Sequence, residues 1–145
     1  MPAAWVRLLR AHAALTQRMD ANLRHVHGLT LSDYEVLVQL ANADDQSLSR
    51  VDLAARVLLS QSGITRLLEG LEHGGLVERA SCPTDRRVVY ARLTEAGYAR
   101  CLEAAKTHLE DVRRAFFDRF SEDELRSLAE LLGRLPQQAR EDGGR

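Results

Sequence analysis

At 145 residues the chain has the length of one compact domain, and its 45% apolar and 28% charged residues separate it from disordered and collagen-like sequences. The 20 basic and 21 acidic residues leave a net charge of −1, which excludes a uniformly basic nucleic-acid coat; any nucleic-acid site has to be local. No apolar run reaches the roughly 18 residues that a membrane span needs, and Trp5 and arginines stand where a signal peptide would carry its apolar core. A cytoplasmic protein without a membrane partner is expected, and two cysteines, Cys82 and Cys101, fit a reducing compartment.

Trp5, Leu8, His12, Leu15, Met19, Leu23 and Val26 recur at spacings of three and four, predicting a first helix that lasts until His27 and Gly28. Ser32 and Glu35 have capping-box spacing and predict a second helix running to about Ala43. Ser49 and Ser60 then open two short helices, the second covering residues 61–73 and closed by Gly74 and Gly75. Segments 76–81 and 88–93 read as two strands around a turn at Pro83, Thr84, Asp85 and Arg86. From Thr94, the residues Tyr98, Leu102, Ala105, Leu109, Val112 and Phe116 keep a heptad rhythm that Phe120 extends, predicting a helix of 27 residues. Ser121 and Glu124 form another capping box, opening a leucine-striped helix that Pro136 should stop; residues 136–145 read as a solvated tail.

The order is ααααββαα, a mainly α fold with a small β-wing. Apolar stripes at both chain ends lie far in sequence from the compact middle, and 27 helical residues would span about 40 Å, longer than such a domain is wide. A two-fold homodimer would bury the excess.

Two short helices followed by a hairpin make a winged helix-turn-helix, whose second helix fits the DNA major groove. On residues 60–73, Ile64, Leu67, Leu68 and Leu71 form the inward stripe, leaving Gln61, Ser62, Thr65, Arg66 and Glu69 outward. The outward N-terminal set is short, neutral and rich in donors, with one arginine, as contacts to base edges and phosphates require. At the hairpin tip, Arg86 and Arg87 suit the negative minor groove, and Asp85 is placed to hold Arg87 extended.

Leu53-Ala54, Ser60-Gln61-Ser62-Gly63-Ile64-Thr65-Arg66-Leu67-Leu68, Gly75-Leu76-Val77-Glu78-Arg79, Asp85-Arg86-Arg87, Leu93-Thr94 and Gly97 together resemble the MarR (multiple antibiotic resistance regulator) family. Asp85-x-Arg87 followed after five residues by Leu93-Thr94 matches that family's wing pattern, and the likeness is strongest over about residues 30–100. The resemblance implies a single domain over 1–145, with dimerisation helices at 1–28 and 94–135 and a winged helix-turn-helix at 30–93. It also implies a homodimeric transcriptional regulator that binds double-stranded DNA at a pseudo-palindromic operator, usually as a repressor, and lets go on meeting a small ligand or oxidant. Arg87 would enter the minor groove, Asp85 would orient it, and Ser60, Gln61, Ser62, Thr65 and Arg66 would serve the major groove, with Arg86 beside them on the wing. A small aromatic or phenolic effector would sit near Trp5, His12 and Tyr34; no cofactor is implied.

A redox-sensing version of the same fold would need a reactive cysteine. Cys82, beside the wing arginines, is the candidate, whereas Cys101 falls beside the fifth-helix seam and is expected to be inert. His25-x-His27 offers two ligands at a helix end with no third, so no metal site is expected. Glycine-rich phosphate loops, HExxH, nucleophile elbows and CxxC motifs do not occur, which leaves no expectation of an enzyme. A winged helix that only binds protein or dimerises would lack the wing arginine and the polar recognition face, and this sequence has both.

Overall fold

The structure, a computed structural model, describes residues 2–57, 61–81, 84–85 and 87–136. Helix α1 (Pro2–His27) follows the predicted stripe for its whole length. Helix α2 (Leu31–Ala41) starts earlier than the sequence suggested, because its capping box is Thr30 with Asp33 rather than Ser32 with Glu35. Thr30 Oγ1 accepts the Asp33 N–H at 2.9 Å, and the Asp33 carboxylate accepts the Thr30 N–H at 2.8 Å. Asp20 of α1 accepts the Leu31 N–H at 2.8 Å, which holds its carboxyl below the usual range and fastens the start of α2 to α1.

Past a turn in which Asp45 and Gln46 take positive φ, a short strand β1 (Ser47–Ser49) precedes α3 (Arg50–Val57). The sequence reading had no strand here, since three residues with a single leucine carry no alternation to detect. Ser49 does cap α3, accepting the Asp52 N–H at 3.1 Å. Helix α4 (Gln61–His73) is followed by β2 (Val77–Ser81) and β3 (Val89–Leu93). These two form the expected antiparallel hairpin, with Val77 opposite Leu93 and Ser81 opposite Val89. β1 pairs on the other edge of β3, so the sheet has three strands in the order β1-β3-β2.

Helix α5 (Glu95–Ala115) has 21 residues rather than 27, about 32 Å instead of 40 Å. It stops because Phe116 leaves helical geometry at φ −126° and ψ −66°, and a 3-10 turn over Phe117–Arg119 follows. The rings of Phe117 and Phe120 each come within 5.4 Å of the Phe116 ring, so the aromatic residues that looked like a continued stripe form a cluster at a bend. Helix α6 (Glu122–Leu132) opens on the predicted Ser121–Glu124 capping box, but ends at a Gly133 cap three residues before Pro136. Residues 137–145, most of the expected tail, lie outside the described residues. Among the described residues no helix is long and apolar enough to cross a membrane.

The chain groups into two compact units, Met1–His108 and Leu109–Arg145. In the first, Leu23, Val36, Leu37, Leu40, Leu53 and Ile64 are almost fully enclosed, joining α1, α2, α3 and α4 in one core that the sheet extends through Val77, Ala91 and Leu93. In the second, the Glu110 carboxylate accepts from Arg113 and Arg114 and is lowered to about 2 by these guanidinium bonds, first that of Arg113, while Arg113 also reaches Asp118 at 2.8 Å.

At the end of α4, the Leu76 N–H donates to Leu71 O at 2.9 Å and the Gly75 N–H to Glu72 O at 3.0 Å, with Gly75 at φ +73°, a Schellman closure. Thr94 then ties this corner to α5. Its hydroxyl donates to Gly75 O at 2.7 Å, and the same oxygen accepts the Gly97 N–H at 3.0 Å. A Cβ on Gly97 would run into the Leu76 carbonyl oxygen and come within 2.7 Å of Leu93 Cδ1. Gly97→Ala should therefore cost about 1–3 kcal/mol of stability through overpacking against backbone that cannot step aside. Urea unfolding followed by circular dichroism reads this directly, and an unchanged midpoint would contradict the close approach.

Candidate nucleic-acid interface

Helix α4 owes its orientation to a two-sided sequence. Ile64, Leu68 and Leu71 are buried and Leu67 half-buried, whereas Ser62, Arg66 and Glu69 are exposed and Thr65 lies at the boundary. Burying three to four aliphatic side chains stabilises this placement by roughly 1.5–3 kcal/mol each, enough to fix which face meets solvent. Gln61 is the first residue of α4. Ser60 lies outside the described residues. Ser62, Thr65 and Arg66 thus share the face that the sequence assigned to the major groove, in the first two turns of the helix, where the helix dipole is positive.

Thr65 has a neighbour that the sequence reading did not single out. Arg50, the first residue of α3, donates from Nη1 to Thr65 Oγ1 at 3.3 Å. No local pattern flags such a contact, because it joins residues 15 apart through the packing of α3 on α4. Both residues line a shallow cleft between α4 and the β2–β3 hairpin, together with Glu69, Glu72, Arg79 and Tyr90. Arg79 spans this gap on the outside, donating to Glu72 at 3.1 Å and so linking β2 to the C-terminal half of α4.

The wing tip is shaped by Asp85. Its Oδ1 accepts the backbone N–H of Arg87 at 3.0 Å, an Asx-turn, and lies 3.4 Å from Arg87 Nε. The first bond fixes the backbone; the second is long and biases the direction of the guanidinium. The Arg87 side chain is 93% exposed and that of Asp85 44% exposed, so the arginine projects from the hairpin with little other contact. Such an ion pair adds little to stability. Arg86 lies outside the described residues.

The residues suggested for an effector are placed differently from one another. Trp5 and His12 stand seven residues apart on one face of α1, and both are exposed, Trp5 by 62%. Tyr34 is 9% exposed, its ring centroid 4.9 Å from that of His108, and burial pushes its hydroxyl upward. Cys101 is buried and its thiol is likewise pushed up by burial, which keeps it protonated and unreactive. Cys82 lies outside the described residues. His27 is engaged at the end of α1, its Nε2 2.7 Å from Thr107 Oγ1 while its carbonyl accepts from Arg100 at 2.9 Å. Among the described residues no group of three or more His, Cys, Asp or Glu side chains is placed to hold a metal ion.

Comparison with known proteins gives a consistent picture. The sequence pattern of the MarR family matches residues 27–88. The HTH-type transcriptional regulator MhqR of Bacillus subtilis (strain 168) is 30% identical over 134 residues, covering 92% of this chain and 90% of the relative. Among solved structures, AbsC, a MarR family transcriptional regulator from Streptomyces coelicolor, superposes with a TM-score of 0.83 at 33% identity, covering 90% of this chain and 88% of that one. Sco3205, a MarR family transcriptional regulator from the same organism solved in complex with DNA, gives 0.83 at 30% identity, covering 92% and 90%. With the helix order, the three-stranded wing sheet and three relatives matched across nine-tenths of the sequence, the chain belongs to the MarR family.

Proposed function

We propose that this chain is a sequence-specific, DNA-binding transcriptional regulator, a repressor that acts in the cytoplasm as a homodimer on a pseudo-palindromic operator. The observation that carries the reading is the pairing of one polar helical face, Ser62, Thr65 and Arg66 on α4, with an Asp85-braced Arg87 on the adjacent hairpin. The helix suits a major groove and the arginine suits the narrower, more negative minor groove beside it. The relatives named above are transcriptional regulators, and one of them is solved on DNA. Residues 1–28 and 94–135 serve dimerisation in this reading, and residues 30–93 form the DNA-binding lobe.

The parent protein should select from random duplexes an inverted repeat whose half-site centres lie about 10 bp apart. Arg87→Ala should weaken binding to all duplexes, lower the salt dependence and leave most base preferences intact. Arg66→Ala should instead remove one phosphate contact or cost roughly 1–3 kcal/mol at a single base pair. Fluorescence anisotropy across a salt series separates the two; unchanged binding by Arg87→Ala at every salt concentration would return the wing to an ordinary soluble loop.

Dimerisation is supported by apolar surface rather than by helix length, now that α5 is shorter than expected. Trp5, Leu9 and Val26 on α1, Leu102 and Leu109 on α5, and Phe117, Phe120 and Leu131 are all exposed in the single chain. Sedimentation at micromolar concentration should give twice the 16.2 kDa chain mass, and a stable monomer there would defeat the architecture.

The effector in this reading is a small aromatic or phenolic molecule near Trp5, His12 and Tyr34. Trp5 is the single tryptophan, so its emission reports on this region without labelling. Titration with simple phenolic carboxylates should quench or shift that emission at concentrations that release the selected duplex. A flat signal through the release would remove Trp5 from the site.

A further inference from the structure

Helix α1 divides in two by burial. No residue from Pro2 to Arg18 is buried, and Trp5, Val6 and Leu9 are exposed, whereas Met19 and Leu23 are buried. Asp20 stands where the buried half begins. One of its carboxylate oxygens accepts the N–H of Leu31, 11 residues further on, at 2.8 Å, and the other accepts from Arg24 Nε at 2.7 Å. Leu31 is the first residue of α2, so its N–H is one of the donors that a helix leaves without a partner of its own. The N-cap Thr30 serves the Asp33 amide, and the Leu31 amide is served from α1.

The connection between the two helices is short, residues 28–30, and Gly28 takes φ +67° at a place where a Cβ would meet nothing within 4 Å. The end of α1 is bolted to α5, His27 Nε2 lying 2.7 Å from Thr107 Oγ1 and the His27 carbonyl accepting from Arg100 at 2.9 Å. Asp20 adds the corresponding tie to α2, whose Val36, Leu37 and Leu40 share one core with α3 and α4. At 1.5 Å per residue the exposed arm, residues 2–18, is about 25 Å long. A base pair rises about 3.4 Å, so a tilt of about 8° between arm and lobe displaces one against the other by a whole base pair. In a homodimer joined through the arm, such a tilt changes the distance between the two recognition helices.

We infer that Asp20 is a positioning residue for operator spacing, which holds the start of α2 against α1 and thereby fixes the distance between the two half-sites that the homodimer reads. The inference rests on the dimeric DNA-binding reading above. It separates the choice of bases, made on α4, from the choice of spacing, made on α1.

The test uses full-length protein and the inverted repeat that the parent selects from a random pool, with one base pair removed from or added to its spacer. Asp20→Ala should flatten the preference for the selected spacing by about twofold to tenfold, the range set by one net hydrogen bond, and leave the preferences within each half-site unchanged. Leu31→Pro should do the same from the other side, since it removes the N–H at the first helical position, where proline is accepted, and Thr30 before it is already extended. Leu31→Ala trims the side chain but keeps the N–H, and should hold the parent spacing. The double variant Asp20→Ala with Leu31→Pro should flatten the preference no further than either alone, because both remove the same bond. Asp20→Asn, which keeps an acceptor, should restore part of the preference, and Arg24→Ala, which removes only the ion pair, should leave it intact. If Asp20→Ala weakens binding alike at every spacing, or leaves the spacing preference unchanged, the positioning role is overturned. Should Asp20→Ala fail to fold, Leu31→Pro against Leu31→Ala carries the same comparison. A parent that selects no inverted repeat fails at the earlier step and takes the DNA-binding reading with it.

Discussion

Four segments of the chain converge on two backbone carbonyls, those of Gly75 and Leu76. The end of α4 closes on itself there through the Leu76 and Gly75 amides, the Thr94 hydroxyl bonds the first carbonyl, and the Thr94 amide bonds the second at 3.1 Å. The start of α5 then presses the Cα of Gly97 against that same Leu76 carbonyl. One corner therefore sets the end of the recognition helix, the root of both wing strands and the start of α5. A shift of any one drags the other three, because the bonds are short and all the groups but the Thr94 hydroxyl are backbone. Here the close approach at Gly97 is a packing demand, while at Gly75 the demand is the left-handed backbone of the helix closure.

The same corner explains why the wing can carry a nearly unsupported arginine at its tip. Val77 and Leu93, at the base of the hairpin, are buried opposite one another, while Arg87 at the far end is almost wholly exposed. Burial falls along the hairpin from a packed root to a tip held by the Asp85 turn, an arrangement that lets a side chain reach outward without loosening the core. On α4 the logic runs sideways instead: Ile64, Leu68 and Leu71 anchor one face, and on the other side Arg50 reaches Thr65 from α3.

Much of this was legible in the sequence because periodicity and caps are local. The stripe of α1, the inward face of α4, the hairpin and the Ser121–Glu124 box each follow from residues within a few positions of one another. The misreadings have equally local causes. Thr30 with Asp33 and Ser32 with Glu35 are competing boxes two residues apart, and Asp20 of α1 decides between them by taking the Leu31 amide. The heptad rhythm ran through Phe116 to Phe120 since aromatic residues score as stripe members whether they continue a helix or cluster at its end. β1 exists because β3 has an open edge to pair with, a property of the sheet and not of residues 47–49. Arg50 was invisible for the same reason: its partner is supplied by the packing of two helices.

Charge placement along α4 narrows how such a helix can approach a polyanion. Its first half offers Ser62, Thr65 and Arg66, whereas its second half carries Glu69 and Glu72, the latter bridged by a cation, Arg79. Carboxylates brought next to phosphates are repelled, and a net charge of −1 gives the chain no overall attraction to offset them. The helix dipole adds to the asymmetry, positive at the Gln61 end and negative at the His73 end. All three terms favour a helix that enters a groove by its first two turns and keeps the acidic half back toward the sheet. That half is where the cleft with Arg79 and Tyr90 lies, and there Glu72 braces the wing side of the helix through Arg79, while Ser62 and Arg66 stand exposed on its first half.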